Sequence, residues 1–185
     1  MKICLSLILV ALFQFFLACR PAAAPVSISN RPVSINDVRQ PGVPTKPVEQ
    51  MSWTGTDGSE RQIRDFRDRV VILDFWATYC EPCRREIPHL NSIQAKYAGK
   101  LQVIGLNVGG DEDQPKVPAF VKELKVAYPV AYPEDALVLF IFGDESSIPQ
   151  TAVFDRQGRL VLKVIGFDSQ VQDELDDAVQ QALRE

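Results

Sequence analysis

Val70 to Phe75 reads Val-Val-Ile-Leu-Asp-Phe, apolar throughout except for Asp74, and the chain continues as Trp76-Ala-Thr-Tyr-Cys-Glu-Pro-Cys83. So short and apolar a run predicts a strand buried on both faces. A strand that ends in Cys-x-x-Cys at the start of a helix fixes where the first sulfur sits. The first-turn N–H groups of a helix lack partners within it and carry the positive end of its dipole. A thiolate is stabilised there, so Cys80 ionises more readily than a free cysteine and becomes the nucleophile. Cys83 lies one turn on, on the same face, and can close a short disulfide with Cys80. Such a pair exchanges two electrons with another dithiol.

The other two of the four cysteines, Cys4 and Cys19, fall in an N-terminal stretch that begins Met1-Lys2 and is mostly apolar from Ile3 to Ala18. One early charge followed by this run fits a secretory signal over residues 1–19. Phe16-Leu17-Ala18-Cys19 resembles a lipoprotein box, with Cys19 as the lipidated residue, although Phe16 and Leu17 depart from the usual types. Cleavage after Ala22-Ala23-Ala24 and an uncleaved anchor are the alternatives. All three put the rest of the chain outside the cytoplasm, where disulfides persist. Residues 20–47 hold six prolines and few apolar residues, the composition of a linker. As flexible coil, ~28 residues span about 30 Å, and fully extended about 85 Å. The formal net charge of −4 argues against nucleic acid as a partner.

A domain is expected over residues 48–185. Met51–Thr54 and Arg61–Ile63 flank a Gly55-Thr-Asp-Gly58 hairpin signal. After the Val70–Trp76 strand come a helix from Cys80 to about Tyr97, with Pro88 inside it as a kink, and a strand over Leu101–Val108. Ala119, Phe120, Val121, Leu124 and Val126 supply a helical stripe, with Pro118 suited to its first turn. A short strand is predicted over Tyr128–Tyr132 and a helix over Glu134–Phe142. Strands at Thr151–Asp155 and Leu160–Ile165 form a hairpin, and a final amphipathic helix covers Ser169–Leu183, with Val171, Leu175, Ala178, Val179 and Leu183 on one face. The class is α/β, a mixed central sheet with helices on both faces.

This order, with the Trp-Ala-Thr-Tyr-Cys-Glu-Pro-Cys motif after a central strand and Ser-Ile-Pro149 before the hairpin, resembles the thioredoxin superfamily. More narrowly it is similar to the TlpA/ResA-like, membrane-tethered thiol-disulfide oxidoreductases, whose helix-and-strand insertion matches about Val117 to Phe142. The resemblance implies that Cys80 attacks a partner's disulfide and Cys83 resolves the mixed disulfide. It implies that Pro149 is the cis-proline beside the disulfide, where the trans form is otherwise the default. Asp74 matches the buried acid that handles the proton of the second cysteine, and Glu86 an acid of the active-site cavity. Trp76, Tyr79, Ile148 and Pro149 are the implied substrate-facing residues, with Tyr79 standing where tryptophan is usual. The implied activity is reduction of protein disulfides, with apocytochrome c or copper-handling proteins as examples, recharged by a membrane thiol donor of the DsbD/CcdA type. No cofactor beyond the Cys80–Cys83 disulfide and no metal is expected.

Each residue also has a plainer reading. Asp74 can be a solvated strand-end residue, and Glu86 a surface one. Glu81, Arg84 and Arg85 suit a solvated first helical turn, Glu81 opposing a thiolate and the arginines favouring it. Trp76 reads as packing against the active-site loop, and Tyr128 and Tyr132 as ordinary strand residues. His89, the single histidine, reads as a surface or half-buried helix residue. A structural zinc site needs four ligands, which one Cys-x-x-Cys and one histidine do not supply. A Sco-like copper chaperone usually spaces its cysteines by three residues and uses a later histidine. A peroxiredoxin carries threonine where this chain has Ala77.

Overall fold

In the computed structural model, residues 46–185 are described; the predicted signal peptide, Cys19 and residues 20–45 of the linker lie outside them. No helix among the described residues is long and apolar enough to cross a membrane.

Seven strands form one sheet: β1 (Ser52–Gly55), β2 (Glu60–Gln62), β3 (Val70–Trp76), β4 (Leu101–Asn107), β5 (Val130–Pro133), β6 (Gln150–Phe154) and β7 (Leu160–Ile165). Their order is β2-β1-β5-β4-β3-β6-β7. β3, β4 and β5 run parallel, while β6 pairs antiparallel with β3 and β7 with β6. β1 pairs antiparallel with β5 and with β2. β3 lies inside the sheet, covered on both faces, which explains why its sequence carries no polar alternation: all seven residues are buried.

The pleat divides β3 between two cores. Val71, Leu73 and Phe75 pack with Ile104 and Leu106 of β4 under helix α3 (Asp135–Phe142), through Leu137 and Ile141. Val70 and Ile72 face the other way, onto α1 (Glu81–Lys96) through Leu90 and Ile93 and onto α4 (Ser169–Arg184) through Leu175 and Val179. Asp74 is next in this second row, and so faces α1. Its neighbours in register are Gly105 on β4 and Thr151 on β6.

Helix α1 is continuous through Pro88 and closes before Gly99, whose φ of +82° suits glycine. α2 (Val117–Leu124) begins with Pro118 in its first turn, as expected, but its buried residues are Val117 and Phe120. Ala119 is exposed. The helix is only two turns long, and starting it at Val117 turns Ala119 to the outside. Lys125 takes a left-handed conformation that stops it, leaving Val126 beyond the end. The strand expected from Tyr128 starts at Val130, so Tyr128 belongs to the segment entering β5. In α4 the buried alanine is Ala182, and Asp168 caps the helix by accepting a bond from Val171 N–H at 2.9 Å.

Candidate active site

β3 ends at Trp76, and three residues carry the chain to Cys80, the N-cap of α1. Cys80 and Cys83 are joined by a disulfide, with Cα atoms 5.3 Å apart. The Cys83 N–H points at Cys80 Sγ, 3.2 Å away. This is the arrangement that favours a thiolate on residue 80, since an unpartnered helix N–H and the helix dipole both meet that sulfur. Cys80 keeps 5% of its surface exposed and Cys83 only 1%, so the first sulfur is the approachable one.

The loop between is clamped from β4 and the segment after it. Asp113, buried, accepts from Thr78 N–H at 3.0 Å and from Asn107 Nδ2 at 2.8 Å, and also from the Thr78 hydroxyl. Burial works to raise the Asp113 pKa, but its bonds from Asn107 and Thr78 outweigh that and hold the carboxyl below its ordinary range. Trp76 stacks on Phe120 of α2, with ring centroids 4.8 Å apart. Arg84 lies 5.1 Å over the same Phe120 ring and pairs with Glu123.

Two acids, one on β3 and one on α1, have almost no exposure, Asp74 at 1% and Glu86 at 0%. Glu86 is three residues after Cys83 on α1, hence on the same face. Asp74 Oδ2 accepts from the Tyr128 hydroxyl at 3.2 Å, and Glu86 Oε1 from Thr151 Oγ1 at 2.5 Å. The second oxygens, Asp74 Oδ1 and Glu86 Oε2, have no partner. Burial raises the Asp74 carboxyl to about 7, with the Tyr128 bond pulling the other way. Burial and then the charge of Asp74 push Glu86 well above its usual value, against the bond from Thr151. A carboxyl that titrates near neutrality can accept and return a proton at physiological pH.

Residues 41–181 match a family model described as Redoxin. The chain belongs to the Redoxin family. A thiol-disulfide oxidoreductase ResA of Bacillus cereus is 30% identical over 120 residues, which cover 64% of this chain and 68% of that one. ResA of Bacillus subtilis (strain 168) is 31% identical over 112 residues, 60% of this chain and 61% of its own. The crystal structure of a thioredoxin-family thiol:disulfide interchange protein from Chlorobium tepidum TLS aligns with a TM-score of 0.61 at 26% identity, covering 75% of this chain and 97% of that one. This Redoxin-family chain is a TlpA/ResA-like member of the thioredoxin superfamily and a thiol-disulfide oxidoreductase.

The remaining expected residues of the Redoxin domain sit around the pair in unequal ways. The Ile148–Pro149 bond is cis. Pro149 is buried and Ile148 half-buried, and the Pro149 carbonyl accepts from Gly166 N–H at 2.8 Å. Tyr79 is 69% exposed, the most open large side chain at the site. Trp76 follows its packing reading and not that of a substrate-facing residue: buried against Phe120, it offers no surface and acts by supporting the loop. His89 Nε2 lies 3.1 Å from Asp176 Oδ1, on the side of α1 that meets α4. Among the described residues no group of three or more His, Cys, Asp or Glu is placed to hold a metal ion. Sequence reasoning misses Tyr128, Thr151, Asn107 and Asp113. Asp113 sits in a Gly-Gly-Asp-Glu-Asp stretch that reads as a solvated loop, and only its contacts distinguish it from Asp111 and Glu112, both exposed.

Proposed function

We propose that this protein is an extracytoplasmic reductant of disulfides in partner proteins, tethered to a membrane through lipidated Cys19. The observation that carries the reading is Cys80 at the tip of α1, disulfide-linked to the more deeply buried Cys83, beside exposed Tyr79 and the Ile148–Pro149 backbone. In the reduced form, the Cys80 thiolate attacks one sulfur of the partner's disulfide. The partner's S–S bond breaks, and its departing thiolate takes a proton. Cys83 then gives up its proton to Asp74, and its thiolate attacks Cys80 Sγ. The Cys80–Cys83 bond forms as the mixed disulfide breaks, and two electrons have passed to the partner. Glu86 is the second buried acid of that proton site, while Tyr79, Ile148 and Pro149 form the partner surface.

A reductant must be recharged, so a membrane-embedded thiol donor of the DsbD/CcdA type is its counterpart. Apocytochrome c and copper-handling proteins are the substrates this reading favours. Cys83→Ser stalls exchange at the mixed disulfide, so partners captured from an envelope extract by that variant, and released by dithiothreitol, test the assignment. Wild-type chain that fails to reduce insulin, or a Cys80–Cys83 potential near that of strong oxidants (about −120 mV), overturns the reductant reading. Mass spectrometry of the mature N-terminus tests the lipid on Cys19.

A further inference from the structure

The two buried acids differ in their hydrogen-bond partners. Asp74 has a phenol and Glu86 an aliphatic hydroxyl, and each acid keeps one bare oxygen. The phenol arrives from outside the basic strand-helix-strand frame, in the segment joining α2 to β5. It reaches Asp74 because the neighbouring strand position is Gly105. A side-chain carbon there would stand 2.9 Å from Trp76 Nε1 and 3.0 Å from the Tyr128 ring. The ring is buried, and among the described residues its hydroxyl makes one side-chain bond, to Asp74.

We propose that Tyr128 is a positioning residue that makes Asp74, rather than Glu86, the carboxylate that takes the Cys83 proton. A phenol is a stronger donor than an alcohol, and a donor aimed at a carboxylate stabilises its charged form. Thr151 donates to Glu86 Oε1 at 2.5 Å, and the unpartnered Oε2 is free to carry the proton, so Glu86 keeps its bond when neutral. One charge in the pair then raises the cost of a second, which keeps Glu86 neutral while Asp74 cycles. Tyr128 itself stays protonated, since burial and the two acids push the phenol well above its ordinary value. The titratable groups acting on Asp74 are Glu86 from α1 and Tyr128 from the β5 side, and Cys83 lies three residues before Glu86 on the same helix. β4 contributes Gly105 and β6 contributes Thr151, neither of which titrates.

The inference rests on the disulfide-exchange reading, and its test separates the two. The carboxyl carbon of Asp74 is followed by NMR from pH 4 to 10 in the oxidised wild type, in Tyr128→Phe, and in a chain carrying 3-fluorotyrosine at 128. Losing the donor moves the Asp74 midpoint up by about one pH unit, the low end for a bond to a charged group. The fluorinated phenol, a stronger donor with the same ring, moves it down. In the reduced protein, the pH midpoint of insulin reduction shifts up with Tyr128→Phe and shows no such shift when Asp74→Asn is already present. Asp74 midpoints unmoved by both substitutions at 128, or a rate shift surviving in the Asp74→Asn background, overturn the assignment. A wild type that does not reduce insulin removes the exchange reading and leaves the carboxyl titration to decide the role of Tyr128. If Tyr128→Phe does not fold, the fluorotyrosine chain alone decides by the direction of its shift.

Discussion

Replacing Asp74 by Asn converts a pH-dependent liability into a constant one, and the difference can be worked from the site. Fully buried, the Asp74 carboxyl titrates at about 7 in the fold, against 3.8 as its ordinary value. The folded state therefore binds the proton more tightly than the unfolded chain. Stability from this group is complete below pH 3.8 and is lost as pH rises toward and through about 7. About three pH units at ~1.36 kcal/mol each give a swing of about 4 kcal/mol. Asn keeps the shape and can still accept from Tyr128, but it carries an amide where Oδ1 had no partner, a fixed cost of ~1–3 kcal/mol. At pH 4 the variant is thus expected to be less stable than wild type by that amount, and at pH 8.5 more stable by ~1–3 kcal/mol. Loss of the Asp74 charge also relieves Glu86, which adds to the swing in the same direction. Urea unfolding of the oxidised forms at half-unit pH steps measures it directly. A variant-minus-wild-type difference that stays flat to within about 1 kcal/mol from pH 4 to 8.5 would refute the assignment of a buried, proton-holding Asp74.

The clamp on the active-site loop gives a second expectation. Asp113→Ala orphans the buried Asn107 amide and the Thr78 N–H, costing ~2–5 kcal/mol in urea unfolding, and slows insulin reduction by loosening Cys80. Gly105→Ala forces a methyl against Trp76 and Tyr128, costing ~1–3 kcal/mol by overpacking, with a red-shifted or quenched tryptophan emission as the local sign. Tyr79→Ala, at an exposed position, leaves stability within ~0.5 kcal/mol while raising KM for a protein disulfide and not for a small one such as oxidised glutathione.

The chain is most legible where one residue type alone satisfies the local physics. Val70–Trp76 suits a strand buried on both sides, and a Cys-x-x-Cys behind it puts Cys80 at a helix tip. Gly99 marks the end of α1 for the same reason. Legibility fails where meaning depends on what a distant segment brings. Asp74 and Glu86 each admit a solvated reading because nothing near them in the chain covers them. Their burial comes from β4, β6 and the segment before β5. Tyr128 sits among Val126, Pro129 and Val130 and looks like one more apolar strand residue; its role exists only because Gly105, 23 positions earlier, leaves the space. Ala119 falls outside the buried face because a two-turn helix offers too few residues for its phase to be read from periodicity.

The Cys83 N–H bonded to Cys80 Sγ has a consequence for how the helix answers to electrons. The atom that enters and leaves the disulfide is also the acceptor that starts α1. On reduction this acceptor turns from a neutral sulfur into an anion, and a charged acceptor holds an amide more firmly than a neutral one. The first turn of α1 should therefore exchange its amide hydrogens with solvent more slowly in the thiolate-bearing form than in the disulfide, although a covalent cross-link has been removed. Gain of two electrons would tighten the very turn that presents them.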